Sequence, residues 1–149
     1  MPDLRELYQE VIIDHGRHPR HFGMLASANY HKEGFNPLCG DKIILHIEKI
    51  NNIIKKIYFE GSGCAISMAS ASLLTEVLAG KNVSEIELFF TAFHQLMITG
   101  NTTEDLGKLA VLSGVHAFPA RIKCATLAWH TLKAALNQSS DPVSTEETI

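Results

Sequence analysis

The sequence predicts an α+β fold, in which a small antiparallel β-sheet carries helices packed on one face. Two runs rich in β-branched residues, 42–50 and 53–59, are separated by Asn51 and Asn52. Asparagine tolerates the positive φ angles of a tight hairpin turn, so the two runs are predicted to pair. After residue 64, apolar residues recur at helical spacing. Strands that come first and helices that come afterwards are typical of the α+β class.

Five helices are expected around this sheet. The first is predicted from Asp3 to about Ile13, because apolar residues recur there every three or four positions. Residues 24–37 are polar and are predicted to form a long loop with room for one short strand. The later helices are predicted over residues 65–79, from a capping box of Ser84 and Glu87 to Gly100, from Thr102 or Thr103 to Gly114, and from Pro119 to about Leu136.

Length and composition favour one folded domain. The chain has 149 residues, which is within the usual size of a single domain. The polar run that begins after Asn137 lacks the apolar residues that a packed segment needs. We therefore predict a domain over residues 1–137 and a disordered polar tail over residues 138–149.

Charge, hydropathy and cysteine content exclude several classes of protein. A formal net charge of −3 argues against nucleic-acid binding, which needs a basic surface. No apolar run approaches the roughly 18–20 residues of a membrane span. Three cysteines are too few, and odd in number, for a disulfide framework. The chain is therefore expected in the cytoplasm, where reduced thiols can bind metal or carry out sulfur chemistry.

Each of the three cysteines lies in a segment that suits a functional thiol. Cys39 is followed by Gly40 and Asp41, so a turn at the glycine could bring a thiol and a carboxylate together. Cys64 lies where a strand gives way to a helix, and the positive end of the helix dipole favours a thiolate there. The alternative for both cysteines is that the side chain has no chemical role and only packs as a small apolar group.

The third cysteine, Cys124, lies in the first turns of the last predicted helix, close to Arg121 and Lys123. Both cations and the helix dipole would favour its thiolate, although apolar residues on a compatible face of the helix strengthen the alternative of a buried packing position. Three thiols and the Asp41 carboxylate would complete a tetrahedral set that suits Zn²⁺. Spacing alone does not establish that they meet.

The histidines offer a weaker signal. His15, His18 and His21 repeat every three residues, but Pro19 and Gly23 interrupt any helix there, so we interpret them as a solvent-facing loop. The remaining candidates have no partner at ligand spacing: His46, His94, His116 and His130.

Around the three cysteines the chain resembles the iron–sulfur cluster assembly scaffold family, and within it the SufU type. The resemblance covers about residues 4–136. It rests on the following motifs: Asp14-His15 with Pro19-Arg20 and Gly23, Asn36-Pro37 with Cys39-Gly40-Asp41, the run from Gly61 to Ser67 with residues 69–72, and the run from Pro119 to Ala125. IscU-like members usually have His before the third cysteine, where this chain has Lys123. The SufU type also has extra helical sequence between the second and third cysteines, which residues 85–117 match.

The resemblance implies the SufE/NifU-like fold and a zinc site formed by Cys39, Asp41, Cys64 and Cys124. It also implies a partner, a PLP-dependent cysteine desulfurase of the SufS type, which passes persulfide sulfur to Cys39, and downstream cluster assembly proteins. A desulfurase histidine is expected to replace Cys39 on the zinc, while Arg121 and Lys123 belong to the docking surface.

Three functions are compatible with this resemblance. The first is a zinc-dependent sulfurtransferase that relays sulfur, and the second is a scaffold that assembles a [2Fe–2S] cluster on the same ligands. The third is a purely structural zinc module. Because Lys123 removes one donor that IscU-like members have, the sulfur relay is the preferred interpretation.

Overall fold

Three antiparallel strands form the body of the sheet in a computed structural model that describes residues 9–137 and 143–144. The strands are β1 (Tyr30–Asn36), β2 (Asp41–Ile50) and β3 (Ile53–Ser62). A two-residue strand, β4 (Val143–Ser144), pairs in parallel with β1, so the strand order is β3-β2-β1-β4. This architecture confirms the predicted α+β class.

The helical elements within the described residues follow one another along the chain. They are α1 (Glu10–Arg17), α2 (Ala65–Leu78), α3 (Val83–Thr99), a 3₁₀ segment (Gly107–Ala117) and α4 (Pro119–Leu136). The helices α2 and α4 contact the sheet, and α1 packs on α2. No helix in the described part of the chain is long and apolar enough to cross a membrane.

The sheet buries one face against the helices because its side chains alternate. Ile43, Leu45 and Ile47 on β2 are fully buried, and they lie at every second position of the strand. On β1 the corresponding position is Gly34, where an added Cβ would collide with Thr131 of α4. The lack of a side chain at Gly34 therefore lets α4 lie directly on β1.

The predicted hairpin between the two β-branched runs is confirmed. Asn51 and Asn52 have φ angles of 51° and 67°, the left-handed values that a type I′ turn requires. The strand pairing then runs from Ile50 opposite Ile53 to Lys42 opposite Ser62, with an irregularity at Glu48 and Lys49.

Two strand and helix boundaries differ from the sequence-based expectation. Residues 24–37 contain a full seven-residue strand, β1, which pairs along its whole length with β2. The helix α1 continues to Arg17 rather than ending near Ile13, and its predicted start at Asp3 lies outside the described residues.

The capping box of α3 was predicted at the wrong residues. Asn82, not Ser84, is the N-cap: its side chain accepts a hydrogen bond from the Glu85 N–H, and the Glu85 carboxylate accepts one from the Asn82 N–H. Both patterns fit a capping box, and a backbone bridge between Asn82 and Ile53 holds Asn82 at the start of the helix. Gly100 ends α3 in a left-handed conformation, as predicted.

The helix predicted from Thr102 or Thr103 to Gly114 is instead a 3₁₀ segment that begins only at Gly107. Gly107 has a φ of 57°, and its N–H donates to the Asp105 side chain, so a local turn replaces the start of an α-helix. The last helix, α4, begins at Pro119 as predicted.

Of the predicted tail, the structure describes only the backbone of β4; the remaining residues lie outside the described part. The domain boundary at residue 137 therefore stays a prediction.

Candidate metal centre

A short hairpin loop presents the first predicted ligand. Asn36, the last residue of β1, pairs with Asp41, the first residue of β2, and residues 37–40 connect them. The Gly40 N–H donates to the Asn36 carbonyl at 2.9 Å, and Gly40 has a φ of 73°, which closes the turn. Cys39 is consequently exposed at the loop, while Asp41 is only 1% exposed at the start of a buried strand.

The second thiol caps a helix. Cys64 is the N-cap of α2, and its sulfur accepts a hydrogen bond from the Ser67 N–H at 3.4 Å. The Cys64 N–H in turn donates to Asp41 Oδ1 at 2.9 Å. The start of α2 therefore fixes both a thiol and one oxygen of the carboxylate.

The third thiol closes the site from the opposite side. Cys124, in the second turn of α4, is fully buried, and its sulfur lies 3.5 Å from the Cys39 sulfur. The ligand atoms of Cys39, Asp41 and Cys124 all lie within 4.8 Å of one another. Residues from the β1–β2 loop, from β2 and from α4 thus converge, which sequence spacing alone could not establish.

Cys64 falls outside that tight group of three but is linked to it. A hydrogen bond between the Cys64 and Cys124 thiols lowers the pKa of Cys64 to about 6. The same bond, together with burial, raises the pKa of Cys124. The opposite shifts of these two pKa values favour a thiolate at Cys64, at the N-terminus of α2.

Asn36 is a site residue to which the sequence analysis gave no role. It is fully buried, and its Nδ2 donates to Asp41 Oδ2 at 3.1 Å and to the Cys124 sulfur at 3.6 Å. One amide thus holds two ligands that come from different elements. The sequence feature that could have indicated this role is its position directly before Pro37, at the start of the loop that carries Cys39.

The donor set fits a zinc ion. Three sulfurs and one carboxylate oxygen are ligands that Zn²⁺ accepts, and backbone and amide N–H groups already orient Asp41, Cys64 and Cys124. Such outer contacts are typical of metal ligands, because they fix the ligand geometry and offset negative charge.

The predicted docking residues lie beside this centre. Arg121 and Lys123 are half-buried in the first two turns of α4, which also carry Cys124. Leu38, next to Cys39, is 69% exposed, and the sequence analysis did not single it out. An exposed apolar side chain therefore lies next to the exposed thiol in this loop.

Of the three histidines expected on a solvent-facing loop near the N-terminus, His18 and His21 are exposed and follow the end of α1, whereas His15 is helical and buried. His15 is 3% exposed, and its Nδ1 lies 2.7 Å from the Ser72 hydroxyl of α2. Burial lowers its pKa, so the neutral ring is favoured. His21 lies 3.0 Å from the Thr75 hydroxyl. Both residues therefore attach the N-terminal segment to α2.

Gly63 provides a first test of the centre, because an ideal Cβ there would lie 2.5 Å from Asp41 Oδ1. We expect Gly63→Ala to push the Asp41 carboxylate away and to lower zinc affinity roughly tenfold, as loss of an outer-shell contact does. Competition with a chromophoric chelator measures the affinity. In an Asp41→Ala background the same substitution should add little, and a full additive loss there would contradict the steric explanation.

The comparisons with known proteins agree with this fold. The model of the family described as NifU-like N terminal domain matches residues 7–141. The chain belongs to that family, and the resemblance stated from its motifs is confirmed.

Individual relatives cover nearly the whole chain. The zinc-dependent sulfurtransferase SufU of Bacillus subtilis (strain 168) is 42% identical over 134 residues, which are 88% of this chain and 90% of the relative. An iron–sulfur cluster assembly scaffold protein IscU of Thermotoga maritima is 38% identical over 137 residues, covering 91% and 96%. A crystal structure of a SufU from Fervidobacterium islandicum AW-1, described as a scaffold protein for the SUF system, has a TM-score of 0.84 at 31% identity, covering 90% of this chain and 99% of that one.

Proposed function

We propose that this protein is a zinc-dependent sulfur relay in iron–sulfur cluster assembly, which accepts persulfide sulfur from a cysteine desulfurase on Cys39. The contrast between Cys39 and the other ligands carries the proposal. Asp41, Cys64 and Cys124 each accept a hydrogen bond from a backbone or amide N–H. Within the described residues, the hydrogen bond of the Cys39 side chain is to Cys124 alone.

Exposure points the same way. Cys39 is exposed, Cys64 is half-buried and Cys124 is buried. Residues at the start of α2 and α4 cannot move without disturbing packed helices, whereas a loop residue can move at lower cost. Cys39 is therefore the ligand that can leave the centre, meet a partner and return.

The chemistry is a transfer of one sulfur atom between two cysteines. The Cys39 thiolate attacks the terminal sulfur of the desulfurase persulfide, and a new S–S bond forms on Cys39. The S–S bond in the desulfurase breaks, and its cysteine leaves as a thiolate. Neither an oxidant nor a reductant is consumed. Bound zinc would keep the thiols deprotonated until transfer.

The partner that this function requires is a PLP-dependent cysteine desulfurase, and we propose the SufS type. Downstream cluster assembly proteins would take the sulfur from Cys39. Three unpaired cysteines suit the reducing cytoplasm, where such thiolates persist.

Metal content tests the proposal against its main alternative. Protein purified without added iron should carry about one zinc per chain, because four ligands form one closed site. Elemental analysis and absorption spectroscopy measure this. A cluster scaffold on the same ligands is the alternative that the 38% identical IscU relatives favour. An iron cluster that is stable in air would support the scaffold and overturn the relay.

The docking surface has its own test. We expect Arg121→Glu to weaken activation of the desulfurase several-fold while zinc content stays unchanged, because Arg121 precedes Cys124 by less than one helical turn. Steady-state desulfurase assays at two salt concentrations measure the effect. Lys133→Glu is the matched control, since it reverses an exposed charge in the last turn of the same helix. Equal effects of the two variants would show that Arg121 has no specific docking role.

A further inference from the structure

A second group of potential metal ligands lies on the face of the sheet opposite the helices. His46 is on β2 between the inward-facing residues Leu45 and Ile47, so its side chain points to the other face. His31 of β1 is directly opposite His46 in the strand register. Fifteen residues separate the two histidines, which explains why sequence spacing showed no partner for His46.

The two imidazole rings meet at their Nδ1 atoms. The Nδ1 of His31 lies 2.7 Å from the Nδ1 of His46, and the Nε2 of His46 lies 2.9 Å from Oε1 of Glu60 on β3. His46 is 6% exposed, whereas His31 is exposed. One histidine is therefore held in place, and the other borders solvent.

These contacts fix the proton positions. A carboxylate only accepts hydrogen bonds, so the Nε2 of His46 carries a hydrogen, and in the neutral ring its Nδ1 then has a bare lone pair. The Nδ1 of His31 then donates to that lone pair. A single proton therefore lies between two nitrogen atoms. A metal cation can displace this proton only from beside the line that joins the nitrogens, because two in-line bonds of about 2.0 Å would need a separation of about 4 Å. A carboxylate on the second nitrogen is the arrangement usual for a metal-bound histidine.

The nitrogen separation discriminates between metals. With bonds of about 2.0 Å, two nitrogens at 90° around a metal lie about 2.8 Å apart, and two at the tetrahedral angle lie about 3.3 Å apart. The 2.7 Å separation is set by the hydrogen bond between the rings, and it needs to grow by only about 0.1 Å for the 90° arrangement of square-planar or octahedral ions, against about 0.6 Å for the tetrahedral one. Because His31 is exposed, its ring can turn its lone pair onto an ion, and water can complete the coordination.

We propose that His31 and His46 form a second metal site, positioned by Glu60, which takes Ni²⁺ or Cu²⁺ rather than the tetrahedral zinc of the thiolate centre. The two sites lie on opposite faces of the sheet, since Asp41 follows the inward alternation of β2 and His46 the outward one. They also use different donors, nitrogen in one and mainly sulfur in the other.

Nickel titration of the zinc-loaded protein tests this proposal. Equilibrium dialysis should give one Ni²⁺ per chain with zinc retained, and paramagnetic broadening in NMR spectra should centre on His31 and His46. His31→Ala should weaken Ni²⁺ binding at least about tenfold, and Glu60→Gln should weaken it less. His31 is exposed, so its variant should fold normally. His94→Ala, which removes an exposed histidine on α3, is the matched control and should change nothing.

Three results would overturn the proposal. The first is Ni²⁺ affinity that His31→Ala leaves unchanged. The second is release of zinc with the appearance of thiolate-to-nickel charge-transfer absorption, which would place the nickel in the thiolate centre. The third is the absence of any stoichiometric Ni²⁺ binding to the zinc-loaded protein.

Discussion

Replacing Cys39 by alanine is expected to abolish persulfide pick-up while part of the zinc stays bound. Asp41, Cys64 and Cys124 keep their hydrogen bonds when the exposed thiol is removed. Three ligands and a water are sufficient for a zinc site, as in catalytic zinc centres. The measurement is mass spectrometry after incubation with desulfurase and cysteine, with the added sulfur located by peptide.

Two further variants sharpen this experiment. Cys124→Ala should lose most of the zinc, because it removes a buried ligand and one partner of the Asn36 amide. Asp41→Ala should loosen zinc and free Cys39 more readily, at a cost in stability. Extra sulfur found on Cys124 with Cys39 unmodified would reject Cys39 as the acceptor and favour a mechanism of the IscU type.

Removing the zinc is expected to lower the melting temperature by about 10 °C. The proposed ligands come from a loop, a strand and two helices, so the binding energy of zinc would add to folding. Free zinc at about 1,000 times its dissociation constant stabilises by about 4 kcal/mol, and 1 kcal/mol shifts the melting temperature by about 2–4 °C in a chain of this size. Thermal unfolding before and after chelation measures this.

Cys64→Ser removes one proposed zinc ligand by mutation and therefore tests the same link between zinc and stability as chelation does. The variant should melt at a lower temperature than the zinc-loaded protein and should respond less to chelator. Leu38→Ser is a suitable control, because it alters an exposed residue of the cysteine loop and leaves every ligand in place. An unchanged melting curve after verified removal of zinc would contradict a metal-linked fold.

Local signals were sufficient to predict most of the fold. The Asn51-Asn52 turn, Pro119 at the start of α4 and Gly100 at the end of α3 all express backbone preferences that act within a few residues. Strand β1 was expected at most as one short strand within a long loop, because its sequence, YHKEGFN, has polar residues and a glycine at its inward positions. Its pairing with β2, rather than its composition, makes it a strand.

For the site, too, local sequence motifs identify the candidate residues, whereas their contacts depend on the tertiary structure. The motifs identified its candidate ligands through the family resemblance, and the structure brings Cys39, Asp41 and Cys124 together. The role of Asn36 depends on contacts to β2 and α4 that no local pattern encodes. The pairing of His31 with His46 likewise depends on strand register.

The cysteine loop also limits how far sulfur can be carried. Residues 37–40 are tethered at both ends by the paired residues Asn36 and Asp41. Cys39 is two residues from Asp41, so its Cα can never lie more than about 7 Å from that anchor. The proposed acceptor, Cys39, therefore has a short and fixed reach. A desulfurase whose persulfide is buried beyond this reach has two ways to meet Cys39. It can accommodate the tip of the hairpin, including Leu38, in its own active site, or it can bring its cysteine outward on a mobile segment.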